Sequence, residues 1–197
     1  MQNSIRTAVL AVLALACGSL TAAAQTTDAG YWDMLSPSTA TTVKTVHASI
    51  RRNLVETAAT MPAEDYAFKP AQEARSFGEV IGHLINANFA ICAQVRGEKS
   101  PGTQNYEKVA DKTALVKALD EAMTYCDAVY ESTTDANAQT LVQLTGPASK
   151  TTQTPRGIAL LFNSTHNNEH YGNLVVYLRL KGHVPPSTAR ARAAAKK

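Results

Sequence analysis

Apolar residues recur at helical spacing in four long stretches of this chain, each bounded by capping or breaking residues. The first spans about Ser38 to Thr60, with Val43, Val46, His47, Ile50, Leu54 and Ala58 along one face, and Met61-Pro62 stops it. The second opens on a capping box, Ser76-Phe77-Gly78-Glu79, where the Ser hydroxyl accepts from an early backbone N–H and Glu79 reaches back. It carries Val80, Ile81, Leu84, Ile85, Ile91 and Val95 to about Arg96, and Gly97 ends it. In the third, Lys112 to Glu131, Leu115, Leu119, Ala122, Cys126 and Val129 lie opposite Lys117, Asp120, Glu121 and Asp127. The fourth is predicted to start with Thr154 as N-cap and Pro155 as its first residue, and to end near Leu180 before Lys181-Gly182. Pro185-Pro186 is expected to prevent the helix from resuming.

No stretch of strand period competes with these four. Ala136 to Leu144 reads as a short extra helix between helices three and four, and the Ala- and Arg-rich residues 187–197 as a flexible basic tail. The fold class expected is therefore all-α, a four-helix bundle over residues 38–186.

The first 24 residues read differently. Arg6 precedes the apolar run Thr7–Ala16, and Ala22-Ala23-Ala24 offers a small-residue cleavage site, so a bacterial secretory signal is expected, with Gln25 as the mature N-terminus. The run is shorter than the ~20 apolar residues that span a bilayer. Residues 25–37 form an N-terminal extension. Export to the periplasm or beyond leaves Cys92 and Cys126 where disulfides persist.

Charge changes the picture too. The chain has 19 Lys+Arg against 16 Asp+Glu, but Arg6, Arg190, Arg192, Lys196 and Lys197 lie in the leader and tail. The body from Gln25 to Pro186 keeps 14 bases and 16 acids, which argues against a nucleic-acid-binding face.

The chemistry concentrates in FNSTHNNEHYGN of the last helix. His166 and His170 are one turn apart on one helix face, a spacing that lets two imidazoles reach one ion. Asn167 stands where a metalloprotease helix has its glutamate, so that chemistry is not expected. A third histidine, His83 in FGEVIGHLINAN, sits among apolar residues and needs a polar partner. Three neutral imidazoles with an open water position make a site for zinc, with nickel, iron or manganese as alternatives.

These residues carry a resemblance. The order Gly82-His83-Leu84, then His166 to His170 followed by Tyr171-Gly172-Asn173, is similar to the DinB/YfiT-like metalloenzyme family over about Val43 to Pro186. The resemblance implies an up-down-down-up bundle with His83, His166 and His170 as metal ligands. It makes helices two and three parallel, which would let Cys92 meet Cys126; the alternative is two buried free thiols. Relatives include thiol-dependent transferases and isomerases, yet low-molecular-weight thiols belong to the reducing cytoplasm, not to an exported chain.

Other polar residues are weighed individually. His47 is expected in the core or at its rim, and His183 in a surface loop. Glu169 reads as a solvated charge or a second partner to the site. Asn86, Asn167 and Asn173 are candidates for orienting ligands, and Tyr171 and Tyr177 for packing. The function expected is an exported divalent-metal-binding protein, a metal-dependent hydrolase or transferase acting on a small molecule, as monomer or homodimer. A non-catalytic metal- or ligand-binding module is the rival, and a fourth protein ligand would favour it.

Overall fold

A computed structural model describes residues 37–146 and 150–196; the expected leader and the extension to residue 36 lie outside the described residues. Helix α1 (Thr39–Thr60) begins where the Ser38 hydroxyl accepts from Thr41 N, and buries Ala40, Val43, His47, Ile50 and Leu54 at alternating three- and four-residue steps, then Thr57 and Ala58 together. The predicted capping box opens α2 (Phe77–Arg96): Glu79 N donates to Ser76 Oγ over 3.2 Å, and Ser76 N to Glu79 Oε2 over 2.6 Å. Gly97, at φ 72°, closes it in the left-handed conformation that glycine adopts cheaply. Helix α3 (Lys112–Glu131) is capped by Asp111, whose carboxylate accepts from Ala114 N.

The segment before the last long helix departs from the sequence reading. Residues 141–145 form strand β1 (Leu141–Thr145), paired antiparallel with β2 (Thr151–Pro155) from Leu141↔Pro155 to Thr145↔Thr151. No helix spans Ala136 to Leu144. Side chains of β1 alternate instead, Val142 and Leu144 turning inward toward the core around Val43, Cys92 and Cys126.

Helix α4 (Arg156–Leu180) then starts one residue later than predicted, with Thr154 in the strand and Pro155 before the helix. Its first free N–H groups are taken by backbone: Arg156 N donates to Thr140 O and Gly157 N to Ala138 O, each over 2.8 Å. A side-chain cap is thus unnecessary. The Arg156 guanidinium binds back to Val129 O, Ser132 Oγ and Thr133 Oγ1 at the end of α3.

The expected flexible tail is corrected as well. Pro186 does not block helix formation but occupies the first turn of α5 (Pro186–Ala194), a position where a missing N–H costs nothing. Arg190 clasps Glu56 and Asn53 of α1, and the Tyr171 hydroxyl donates to Ser187 Oγ over 2.6 Å.

The helices enclose two apolar clusters. The larger gathers Leu54, Phe77, Ile81, Leu84, Leu119 and Leu174. The smaller surrounds a disulfide between Cys92 and Cys126, late in α2 and α3, with Cα atoms 5.5 Å apart and neither residue exposed. None of the described helices is long and apolar enough to cross a membrane.

Candidate metal centre

Three imidazoles from two helices converge on one point. His83 Nε2 lies 3.1 Å from His166 Nε2, which lies 3.2 Å from His170 Nε2. Among the described residues these three donors, all within 4.8 Å of one another, are the group of His, Cys, Asp and Glu able to hold an ion.

The backbone behind them is pinned by buried amides. Asn88 Nδ2 donates to Asn167 Oδ1 and Asn167 Nδ2 to Asn88 Oδ1, each over 2.9 Å. Asn163 Nδ2 joins them at Asn88 Oδ1 (3.0 Å). The three are essentially unexposed, so each lost bond would leave an unsatisfied amide in the core. This network fixes how far α4 can slide on α2, and hence where His166 and His170 point relative to His83.

A carboxylate orients the third histidine. Glu107, in a short 3-10 turn (Tyr106–Lys108), presents Oε1 3.0 Å from His83 Nδ1, and Arg75 Nε donates to its Oε2 over 3.1 Å. Gly82 makes this possible: a Cβ there would lie 2.6 Å from Glu107 N and closer still to the Tyr106 carbonyl oxygen. Asn86 fastens the same turn by accepting from Tyr106 N and donating to Asn105 Oδ1.

With its proton drawn to Nδ1 by Glu107, His83 offers a bare Nε2 lone pair to His166. For three neutral rings, no placement of protons then satisfies both short nitrogen contacts. A shared cation would. Nitrogens bound at ~2.0–2.1 Å around a tetrahedral ion sit about 3.3 Å apart, close to the 3.1 and 3.2 Å seen here. Burial and the neighbouring histidines also favour neutral rings: desolvation first, then His83, lowers the His166 pKa, and desolvation followed by His166 and His83 takes His170 down to about 4. The residues fit a divalent ion. Nδ1 of His166 and of His170 is buried with no hydrogen-bond partner among the described residues, so the carboxylate support is confined to His83.

Other residues singled out from sequence go elsewhere. His47 is buried, donating from Nε2 to Asp127 Oδ1 (2.8 Å) and stacked on Tyr130 with ring centres 3.8 Å apart. His183 lies 4.0 Å from Asp65. Glu169 is exposed, its charge opposing the lowering of the His166 and His170 pKa values. Asn86 orients the Glu107 turn, Asn167 the helix pair, and Asn173 faces solvent. Tyr171 and Tyr177 pack in the larger core. Sequence reasoning missed Glu107 and Arg75. The glycine before His83 was the available signal, because a glycine inside an apolar helix marks a close backbone approach.

The family model described as the DinB superfamily matches residues 48–174, a span that contains all three histidines. The chain belongs to the DinB superfamily. It is 30% identical over 142 residues to the uncharacterized protein YjoA of Bacillus subtilis (strain 168), covering 70% of this chain and 88% of that one. Among solved DinB-like structures, one from Bacillus cereus superposes with a TM-score of 0.61 at 18% identity, covering 71% of this chain and 90% of its own. The YjoA structure gives 0.57 at 24% identity, covering 72% and 93%. A mycothiol-dependent maleylpyruvate isomerase shares the fold at 0.53 and 14% identity, with 67% of this chain and 59% of that chain covered. The likeness to the isomerase is confined to the fold.

Proposed function

We propose that this DinB-superfamily protein is an exported metal-dependent enzyme, a hydrolase or transferase acting on a small molecule. One observation carries the reading: three imidazole Nε2 atoms meet at mutual contacts that neutral rings cannot satisfy and one shared cation can. His83, His166 and His170 would hold the ion, zinc by preference. Three donors rather than four, among the described residues, favour an open site over a closed structural one.

When bound, a divalent ion supplies Lewis acidity, lowering the pKa of a coordinated water or substrate group. The chain's own residues do the rest. Glu107 holds the His83 proton on Nδ1, and the Asn88–Asn163–Asn167 amides keep α2 and α4 at a fixed offset. The thiol dependence of the maleylpyruvate isomerase is not carried over, because an exported chain meets few low-molecular-weight thiols.

Elemental analysis of the purified full-length protein beside His83→Ala and His166→Ala tests this. One equivalent of divalent metal in the wild type and little in either variant is expected. Unchanged metal in both variants would sink the reading.

A further inference from the structure

Arg75 stands at the edge of the triad with half of its donor set unused. Its backbone is held: Tyr177 OH donates to Arg75 O over 2.7 Å, and Ser76 beside it caps α2. Its Nε is committed to Glu107 Oε2 (3.1 Å), whose other oxygen faces His83 Nδ1 (3.0 Å). The side chain is 47% exposed, and among the described residues its hydrogen bond runs through Nε alone. Lys69, the other cation beside the start of α2, is paired with Glu79.

A guanidinium anchored at Nε but open at Nη1 and Nη2 is a fork without its anion. Its planar donors match a carboxylate or phosphate, and such charge-assisted bonds are roughly twice as strong as neutral ones. Apolar surface is also at hand: Phe162, 53% exposed, lies one turn before His166 with ring centres 6.5 Å apart. An organic anion beside the triad would then have a charged anchor, the ion and apolar surface within the same neighbourhood.

We infer that Arg75 is a substrate-recognising residue and that the site takes small organic anions carrying a carboxylate or phosphate. This rests on the metal-site reading above. The anion's charged group is read by the free Nη pair, while Glu107 holds the guanidinium in place through Nε.

Full-length protein loaded with cobalt(II) tests the inference through its visible absorption, with malonate as the anionic probe and imidazole as a neutral one. The expected result is equal cobalt uptake by wild type and Arg75→Gln, malonate binding weakened about tenfold or more in the variant, and imidazole binding unchanged. Equal malonate affinity in the two proteins overturns the inference. So does a parallel loss of malonate, imidazole or cobalt binding, which would make Arg75 a positioning residue acting through Glu107. Wild type that takes up no cobalt removes the metal reading itself, and this inference with it. Should Arg75→Gln fail to fold, Arg75→Lys, which keeps the charge but not the fork, is read by the same probes and the same outcomes.

Discussion

The absence of one side chain, at Gly82, decides where the carboxylate of the site can sit. Any Cβ there collides with the backbone of Tyr106 and Glu107, atoms that cannot rotate away. Gly82→Ala is expected to push the turn off α2, cost about 1–3 kcal/mol in chemical denaturation, and loosen metal binding through the loss of Glu107. Glu107→Gln separates the two effects. It keeps the packing but removes the charge that holds the His83 proton, and competition with a chelator should show metal affinity lowered about 10–100-fold with little change in stability. The three ligand candidates were legible because helical period and family resemblance both mark them. Glu107 was not, since it lies 24 residues from His83 and only the folded connection brings it back.

His47 yields a prediction of pH dependence. Burial lowers its pKa below the ordinary 6.5, against the opposing hydrogen bond and charge of Asp127; Arg51 lowers it further and Glu131 raises it. The folded state therefore binds this proton later than the unfolded chain as pH falls. Its contribution to stability is complete above about 6.5 and is lost as pH drops from there through the lower folded value. His47→Phe keeps a ring against Tyr130 and leaves Asp127 paired with Arg51 Nε (2.9 Å). Urea unfolding between pH 7 and 5 should show a smaller fall in the variant than in wild type; an equal fall would assign the effect to other groups.

Among the elements, the long helices were readable because each buries a stripe wide enough to outlast its polar interruptions. The hairpin was not. LVQLT half-buries only Val142 and Leu144, leaves Leu141 60% exposed, and pairs with the polar TTQTP, so its alternation is too short and too weak to announce a strand. Thr154-Pro155 has the composition of a helix start and misled for a tertiary reason: Thr140 O and Ala138 O take the N–H groups that a cap would have served. Helix α5 was hidden because its anchors, Ser187 on Tyr171 and Arg190 on Glu56 and Asn53, are distant in sequence. Removal of residues 186–197 should lower the thermal midpoint, with the hydroxyl of Tyr171 left unpartnered; an unchanged midpoint would show that these contacts contribute nothing.

For the whole molecule, the arrangement places function away from the ends of the bundle. His83 lies in the first half of α2 and His166 and His170 midway along α4, so the ligands stand on long helices rather than on loops. The two clusters respond differently to redox conditions. Joining residues 34 apart, the disulfide is expected to stabilise the fold by about 3–4 kcal/mol, a loss that Cys92→Ser with Cys126→Ser should show in urea. Non-reducing intact mass should also give a chain that lacks two hydrogens; the export proposed above predicts that this chain starts at Gln25.

That bond is sealed. Cys92 and Cys126 are both fully enclosed, with Asn88 and Asn163 packed on the sulfurs, so no external thiolate can line up behind either atom while the native packing stands. Reduction must wait for the protein to open. The rate of cleavage by dithiothreitol under native conditions should then level off as reductant is raised, at a ceiling set by the opening rate, and the bond becomes a clock for the bundle's own breathing.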